Sequence, residues 1–292
     1  MSLMKVRKAV FPAAGFGTRF LPATKATPKE MLPIVDKPLI QYGVEEAVAA
    51  GCTEIIIVTG RGKSSLEDHF DKSYELETAL EARGKTALLE LVRSVSHLAK
   101  ISYTRQPDAL GLGHAVLQAK QLVGNEPFAV ILPDDVVDAK VPCLKQMVDA
   151  FEQTQCSILA SEIVEGAAIS SYGCLDCVQD PDDSRLLDVL NMVEKPKPEE
   201  APSQHAIIGR YILTPRIFGM LESVTPGSGG EIQLTDGIKA LLQYEKVYGF
   251  TYEGTRYDAG DKLGFLKATV EFALRRDDLG PRFREWLQRQ SF

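Results

Sequence analysis

A short apolar run, Val6–Phe11, opens directly onto the stretch F-P-A-A-G-F-G-T-R-F-L-P-A-T-K-A-T-P-K-E-M-L-P at positions 11–33, and this junction limits the folds open to the chain. The run has the length and character of a buried β-strand, so Gly15 and Gly17 fall where a strand ends and a loop begins. In α/β proteins that is the edge at which ligands bind. Glycine lets backbone N–H groups turn inward to form an anion-binding concavity, and it puts no side chain in the path of a polyanion. Arg19, Lys25 and Lys29 add fixed positive charge within the same loop. The pattern predicts a phosphate site, against the alternative of a tight turn carrying incidental surface lysines.

The rest of the chain continues in α/β style. Lys37–Ala50 carries Leu39, Ile40, Val44, Ala47 and Val48 at helical spacing, with Pro38 near its start and Gly51 at its end. Glu54–Thr59 is a continuous buried-type strand, which makes a βαβ unit and predicts a right-handed crossover into a parallel sheet. Positions 64–98 read as two helices around Gly84, Ile101–Thr104 as a strand, Gly111 and Gly113 as the opening of a helix ending near Val123, and Phe128–Leu132 as a strand running into Pro133-Asp134-Asp135. Beyond a helix at Val141–Thr154 and a strand at Cys156–Ile163, short strands and Gly-, Pro- and Asp-rich turns predict an antiparallel extension attached to the parallel sheet. Two further helices, at 214–223 and 231–244, precede a strand at 246–253 and a helix at 262–276. A last helix, 281–292, holds Phe283, Trp286 and Leu287 on one face, to pack on its own domain or on a neighbouring subunit.

Composition narrows the function. A net charge of −7 offers no broad basic face for nucleic acid, so the positive charge that matters is local. No apolar run approaches the ~20 residues of a membrane span, and the start of the chain lacks a signal-peptide core. Five cysteines, Cys52, Cys143, Cys156, Cys174 and Cys177, sit mostly in apolar runs and read as reduced thiols, which suits the cytoplasm. Cys174 and Cys177 form a C-x-x-C with no second pair and no nearby histidine, so packing is the simpler role. No internal repeat is present, and no hexapeptide array of the kind that marks an appended acyltransferase.

Two familiar phosphate loops are excluded by spacing. A Walker A loop needs four residues between its glycine and a Gly-Lys-Ser/Thr, and a dinucleotide fingerprint needs a third glycine opening a helix, where this chain has Arg19 and Phe20. The stretch at 11–33 resembles the signature of the sugar-1-phosphate nucleotidylyltransferases, and T-K-A-T-P-K-E-M-L-P resembles the bacterial UTP–glucose-1-phosphate uridylyltransferases in particular. The resemblance implies a nucleotide-diphospho-sugar transferase type of fold, a Rossmann-like mixed and mainly parallel sheet with helices on its faces and a small antiparallel sugar-binding extension. One nucleotidylyltransferase domain would then span 4–280, with its nucleotide part at about 4–140 and its sugar-phosphate part at about 141–280.

By the same resemblance, Arg19 and Lys29 meet the triphosphate along a loop formed by Gly15, Gly17 and Thr18. Gln106 and the backbone at Ala13, Ala14 and Gly111 contact uracil, with Glu30 nearby. An amide side chain beside backbone groups is suited to the edge of a pyrimidine, which offers a donor at N3 between carbonyl acceptors. Asp134, after a buried strand, matches the magnesium ligand, and Asp258 of Y-D-A-G-D a second one, whereas Asp261 reads as a helix cap. In V-E-K-P, Lys195 matches a lysine on the sugar phosphate and Glu194 a glutamate on sugar hydroxyls; Gly173 matches a glycine lying against the sugar. The segment 229–236, G-G-E-I-Q-L-T-D, would form a wall of the sugar site.

The implied substrates are UTP and glucose 1-phosphate, the products UDP-glucose and pyrophosphate, and the expected assembly a homotetramer or homodimer. Two other readings stand beside this one. A thymidylyltransferase would share the chemistry, but those relatives read G-G-x-G-T-R-L with a shorter gap to the lysine. A non-catalytic nucleotide-sugar sensor would not need all of Lys29, Asp134, Lys195 and Asp258. None of His69, His97, His114 and His205 has an obvious role; each reads as structural or surface, with His114, beside Gly113, nearest to the site.

Overall fold

In the computed structural model, which describes residues 3–227 and 230–290, the opening run becomes strand β1 (Lys8–Ala13). After the long loop, a two-residue hairpin of β2 (Pro33–Ile34) and β3 (Lys37–Pro38) leads into helix α1 (Leu39–Ala49) and strand β4 (Glu54–Thr59). The region read as two helices holds three: α2 (Ser64–Phe70), α3 (Tyr74–Ala82) and α4 (Thr86–Ser96). Gly84, at φ 65°, separates the last two as expected. The extra break comes at Asp71, whose backbone is extended and whose carbonyl accepts from Ser96 Oγ at 3.0 Å.

Strand β5 (Lys100–Arg105) follows. The next helix is split into α5 (Leu112–Leu117) and α6 (Lys120–Val123), and the Lys8 ammonium binds the last carbonyls of α6, Val123 O at 2.9 Å among them. The chain then runs through β6 (Phe128–Ile131), β7 (Asp135–Asp138), α7 (Cys143–Thr154), β8 (Ser157–Ile163), β9 (Gly173–Gln179), β10 (Leu186–Glu194) and β11 (His205–Leu213). It closes with α8 (Ile217–Ser223), α9 (Leu234–Leu241), β12 (Val247–Thr251), β13 (Thr255–Asp258), α10 (Lys262–Arg275) and α11 (Gly280–Gln288).

One nine-stranded sheet has the order β5-β4-β1-β6-β11-β8-β12-β10-β9. β5, β4, β1 and β6 are mutually parallel, in register from Lys8 opposite Glu54 to Ala13 opposite Thr59. β11 then runs antiparallel between β6 and β8, so the antiparallel strands continue the parallel sheet rather than stand apart from it. β9 and β10 form the far edge, and β9 also touches β11 where Ala206 faces Cys174.

Side chains alternate across a strand, and both faces here are covered, which is why the central strands are apolar throughout. Phe11, Ile55, Ile57, Ala129 and Ile131 enter one core with α1 and α7; Val10, Ile56, Val58, Phe128 and Val130 enter the other with α5, α8 and α9. α10 covers a third, smaller core around Ile34, Val136 and Tyr257. α11 begins tight against the end of α10, leaving Phe283 half-buried and Trp286 exposed.

One charge lies inside this packing. Arg210 on β11 is 1% exposed and donates from Nη2 to Glu46 Oε2 of α1 at 2.7 Å, while Glu46 Oε1 accepts from Leu144 N of α7. The pair ties sheet to helices, and burial of one member without the other is strongly unfavourable. Arg210→Met is expected to lower stability by about 3–5 kcal/mol, with Glu46→Met added on top recovering part of the loss. Urea unfolding midpoints of the single and double variants check this.

Candidate active site

Strands β1, β4, β5 and β6 end on the same side of the sheet, and the loops that leave them enclose a cleft of about 570 Å³. The residues that the sequence nominated line it except two: Ala13 is wholly buried beneath as the last residue of β1, and Lys25 faces a neighbouring depression beside Lys63. Arg19, Lys29, Glu30, Gln106, Gly111 and Asp134 come from the parallel half, Gly173, Glu194, Lys195 and Asp258 from the antiparallel half. Residues some 240 positions apart in sequence therefore face one space.

The loop after β1 is folded rather than slack. It contains single 3₁₀ turns at Thr18–Phe20, Ala23–Lys25 and Lys29–Met31, and Thr24 Oγ1 donates to Gly17 O at 2.7 Å across it. Gly17 has φ 63°, and a Cβ there would stand 3.0 Å from the Cβ of Lys29, so glycine is required on both conformational and steric grounds. The last turn sends two successive side chains to opposite anchors. Lys29 Nζ donates to Asp134 Oδ2 at 2.5 Å, and Glu30, with no exposed surface, receives both of its bonds from Lys63 Nζ at 2.9 Å. Burial pulls the Lys29 ammonium down, but Asp134 outweighs it and the pKa is raised; burial pushes Asp134 up, but Lys29 outweighs it and the carboxyl stays below its usual range. In the deeper Glu30–Lys63 pair burial prevails, lifting the acid and lowering the base.

At the carboxylate end, β7 and β13 pair antiparallel with Asp135 directly opposite Asp258. Like charges opposed across strands repel, and Arg256 sits between them. Its guanidinium, 8% exposed, donates to Asp135, to Glu162 Oε1 at 3.1 Å and to Tyr172 Oη at 3.2 Å, and lies 3.8 Å from Asp258. Asp135 is further committed to Gly209 N–H at 2.6 Å, so although both aspartates line the cleft, Asp135 has both oxygens engaged by the protein while Asp134 holds only Lys29. Burial first, then Asp135, raises the Asp258 carboxyl despite Arg256. A Cβ on Gly260 would stand 2.7 Å from Asp134 Oδ2 and 3.0 Å from Asp258 Oδ1, so the two carboxylates flank this residue and a side chain there would displace them. Two hard oxygen donors side by side, one already drawing an ammonium and the other short of positive charge, fit a divalent cation completed by phosphate oxygens.

The opposite wall is built at the end of β10. The strand stops at Glu194, whose Oε2 accepts from Thr235 Oγ1 at 2.6 Å, while Pro196 forbids its continuation. Lys195 turns through φ 46°, left-handed backbone that is rare for a side chain of this size, and lies 58% exposed with Nζ 3.6 Å from Glu194. Glu231, Gln233, Leu234 and Thr235 line the same wall, as the segment 229–236 led one to expect; Gly229 itself lies outside the described residues. Asp261 caps α10, accepting from Leu263 N at 2.7 Å and Gly264 N at 3.3 Å, in line with its sequence reading.

Sequence reasoning passed over Arg256, Tyr172 and Lys63. Arg256 stands two residues before Asp258, and the period-two geometry of a strand places such a pair on one face, so that signal was available. Lys63 left no comparable trace, because only the fold brings it to Glu30.

The nucleotidyl transferase family model matches residues 8–274. The UTP–glucose-1-phosphate uridylyltransferase of Bacillus subtilis (strain 168) is 54% identical over 283 residues, 96% of this chain and 96% of that protein. A UDP-glucose pyrophosphorylase complexed with UDP-glucose superposes with a TM-score of 0.84 at 46% identity, covering 93% of this chain and 100% of its own. A UTP-bound UGPase from Acinetobacter baumannii superposes with a TM-score of 0.89 at 40% identity, covering 98% and 100%. The chain belongs to the nucleotidyl transferase family and, within it, groups with the bacterial UTP–glucose-1-phosphate uridylyltransferases.

Proposed function

We propose that the chain transfers a uridylyl group from UTP to α-D-glucose 1-phosphate, giving UDP-glucose and pyrophosphate. The observation that carries this reading is the convergence of Arg19, Lys29 and Lys195 on one cleft beside Asp134 and Asp258, in a chain of otherwise acidic balance. Such a charge arrangement suits two polyanions brought together. The phosphate of the sugar is already an anionic nucleophile at neutral pH, so its attack on the α-phosphorus needs no general base, and the cleft supplies position and charge instead.

In this reading the loop of Gly15, Gly17 and Thr18 cradles the triphosphate, and Arg19 and Lys29 neutralise it. Gln106, Gly111 and the backbone of Ala14 hold uracil, with Ala13 buried behind them rather than in contact with the base; Glu30, locked by Lys63, fixes the turn that presents Lys29. Lys195 meets the sugar phosphate, and Glu194, oriented by Thr235, takes sugar hydroxyls beside Gly173. Asp134 and Asp258 would hold magnesium, which when bound neutralises charge on the phosphate oxygens. The bond from the sugar-phosphate oxygen to the α-phosphorus forms as the bond to pyrophosphate breaks, in line. The nucleotide part then occupies about 4–140 and the sugar-phosphate part about 141–280.

Five cysteines without a disulfide support a cytoplasmic setting, and no helix among the described residues is long and apolar enough to cross a membrane. Exposed Leu263, Leu266 and Trp286 on α10 and α11 support a homodimer or homotetramer through that end of the chain.

Pyrophosphate release with glucose 1-phosphate and magnesium, run with UTP and dTTP in parallel, tests the reading; strong preference for UTP is expected, and no release with either overturns it in favour of a sensor. Lys195→Ala is expected to lower kcat by about 10²–10³-fold, and a near wild-type rate would remove Lys195 from the chemistry. Chelation by EDTA should abolish turnover and added magnesium restore it, whereas Asp134→Asn should stay at least about a hundredfold down at saturating magnesium.

A further inference from the structure

His114 in the first turn of α5 does not line the cleft, yet it touches the residue that does. Gln106 Nε2 lies 3.1 Å from Gly111 O and 3.0 Å from His114 Nδ1, while on the far side of the ring Gln118 Nε2 lies 3.0 Å from His114 Nε2 and 3.3 Å from His114 O. Two amide NH₂ groups cannot both donate to a neutral imidazole, which has one acceptor nitrogen and one N–H. One of the two amides must present its oxygen instead.

The two choices differ in cost. Turning Gln106 would aim its oxygen at the Gly111 carbonyl, acceptor against acceptor at 3.1 Å, in a side chain that is 7% exposed. Turning Gln118 gives up only the longer 3.3 Å contact, in a half-buried side chain within reach of water. The consistent network therefore has Gln106 Nε2 donating one proton to Gly111 O and the other to His114 Nδ1, and His114 Nε2–H donating to Gln118 Oε1. Both amide protons of Gln106 are then used inside the protein. Its Oε1, which accepts no hydrogen bond among the described residues, is the group left to face the cleft.

We propose that His114 is a positioning residue for base selection: it holds the Gln106 amide with its oxygen toward the nucleotide, so that the site accepts a base with an N–H at ring position 3 and refuses one with a lone pair there. Uracil carries that N–H; cytosine carries the lone pair, and an acceptor facing an acceptor is penalised more heavily than a missing contact. The inference rests on the uridylyl-transfer reading for the identity of the base, and it adds the device that chooses it.

Equilibrium binding of UTP and CTP to the full chain tests it, with pyrophosphate release recorded separately. His114→Leu removes the Nδ1 acceptor and is expected to lower the UTP:CTP affinity ratio about tenfold. His114→Asn, whose Oδ1 can stand where Nδ1 stood, should restore most of it. Gln118→Lys, remote from the cleft, offers only donors to the ring, favours the opposite tautomer and should lower the ratio as well. A ratio unchanged in both His114→Leu and Gln118→Lys overturns the proposal, and a merely structural histidine would weaken both nucleotides in parallel, which overturns it too. Absence of pyrophosphate release from the wild-type chain would overturn the uridylyl-transfer reading alone, since the binding ratio stands without turnover.

Discussion

The contact between Lys29 and Asp134 joins the loop after β1 to the end of β6, and the charge balance of the whole cleft turns on it. Three aspartates meet at that end of the sheet, and each has been given a different fate. Asp134 is held by Lys29, Asp135 is consumed by Arg256 and the Gly209 amide, and Asp258 has the Gly260 N–H and the Tyr172 hydroxyl but, for opposite charge, only a distant share of Arg256. A buried carboxylate without compensation is costly, so the loop is drawn toward the strand end by electrostatics as much as by its own turns. The same pair is poised for exchange. In the uridylyl-transfer reading, a triphosphate would compete with Asp134 for the ammonium and a divalent cation with Lys29 for the carboxylate, so that neither charge would be left unpaired.

The compensation has a second layer. Arg256 relieves the opposition of Asp135 and Asp258 that the β7–β13 register imposes, and it does so with hydrogen bonds to Glu162 and Tyr172 that fix its plane. Lysine in its place would supply the charge without the fork that reaches four partners at once. Glu30 and Lys63 do the equivalent for the loop, at a buried point where neither would survive without the other. The cations and carboxylates of the cleft are thus held by ion pairs, two of whose members, Lys63 and Glu162, lie outside its lining.

That division explains what the sequence disclosed. The junction at 11–33, the strand running into Asp134 and the proline-halted strand at Glu194-Lys195 are local patterns, and the glycines, cations and carboxylates in them could be read off adjacent positions. Strands with apolar residues on both faces announced the parallel half equally plainly. What stayed hidden depends on register and on contacts between distant segments. Asp258 faces Asp135 only because β13 pairs with β7, and Lys63 reaches Glu30 only once β4 lies beside β1. The helical region was misjudged for a similar reason: periodicity continues through Asp71-Lys72-Ser73, and the break there is stabilised by a bond from Ser96, 25 residues away.

Lys195 shows how far local strain can be carried when its surroundings determine it. A left-handed backbone at a non-glycine residue costs on the order of 1–3 kcal/mol. The turn is nevertheless over-determined: Lys195 N–H donates to Tyr172 O at 3.0 Å, Pro196 bars extension of β10, and Glu194 is pinned on the preceding residue by Thr235. Tyr172 in turn gives its hydroxyl to the Arg256 network. One chain of contacts therefore runs from the aspartates at the parallel end of the cleft, through Arg256 and Tyr172, to the lysine at its antiparallel end. The backbone that carries Lys195 is thus held by the same network that balances the aspartates, although its ammonium stays more than half exposed.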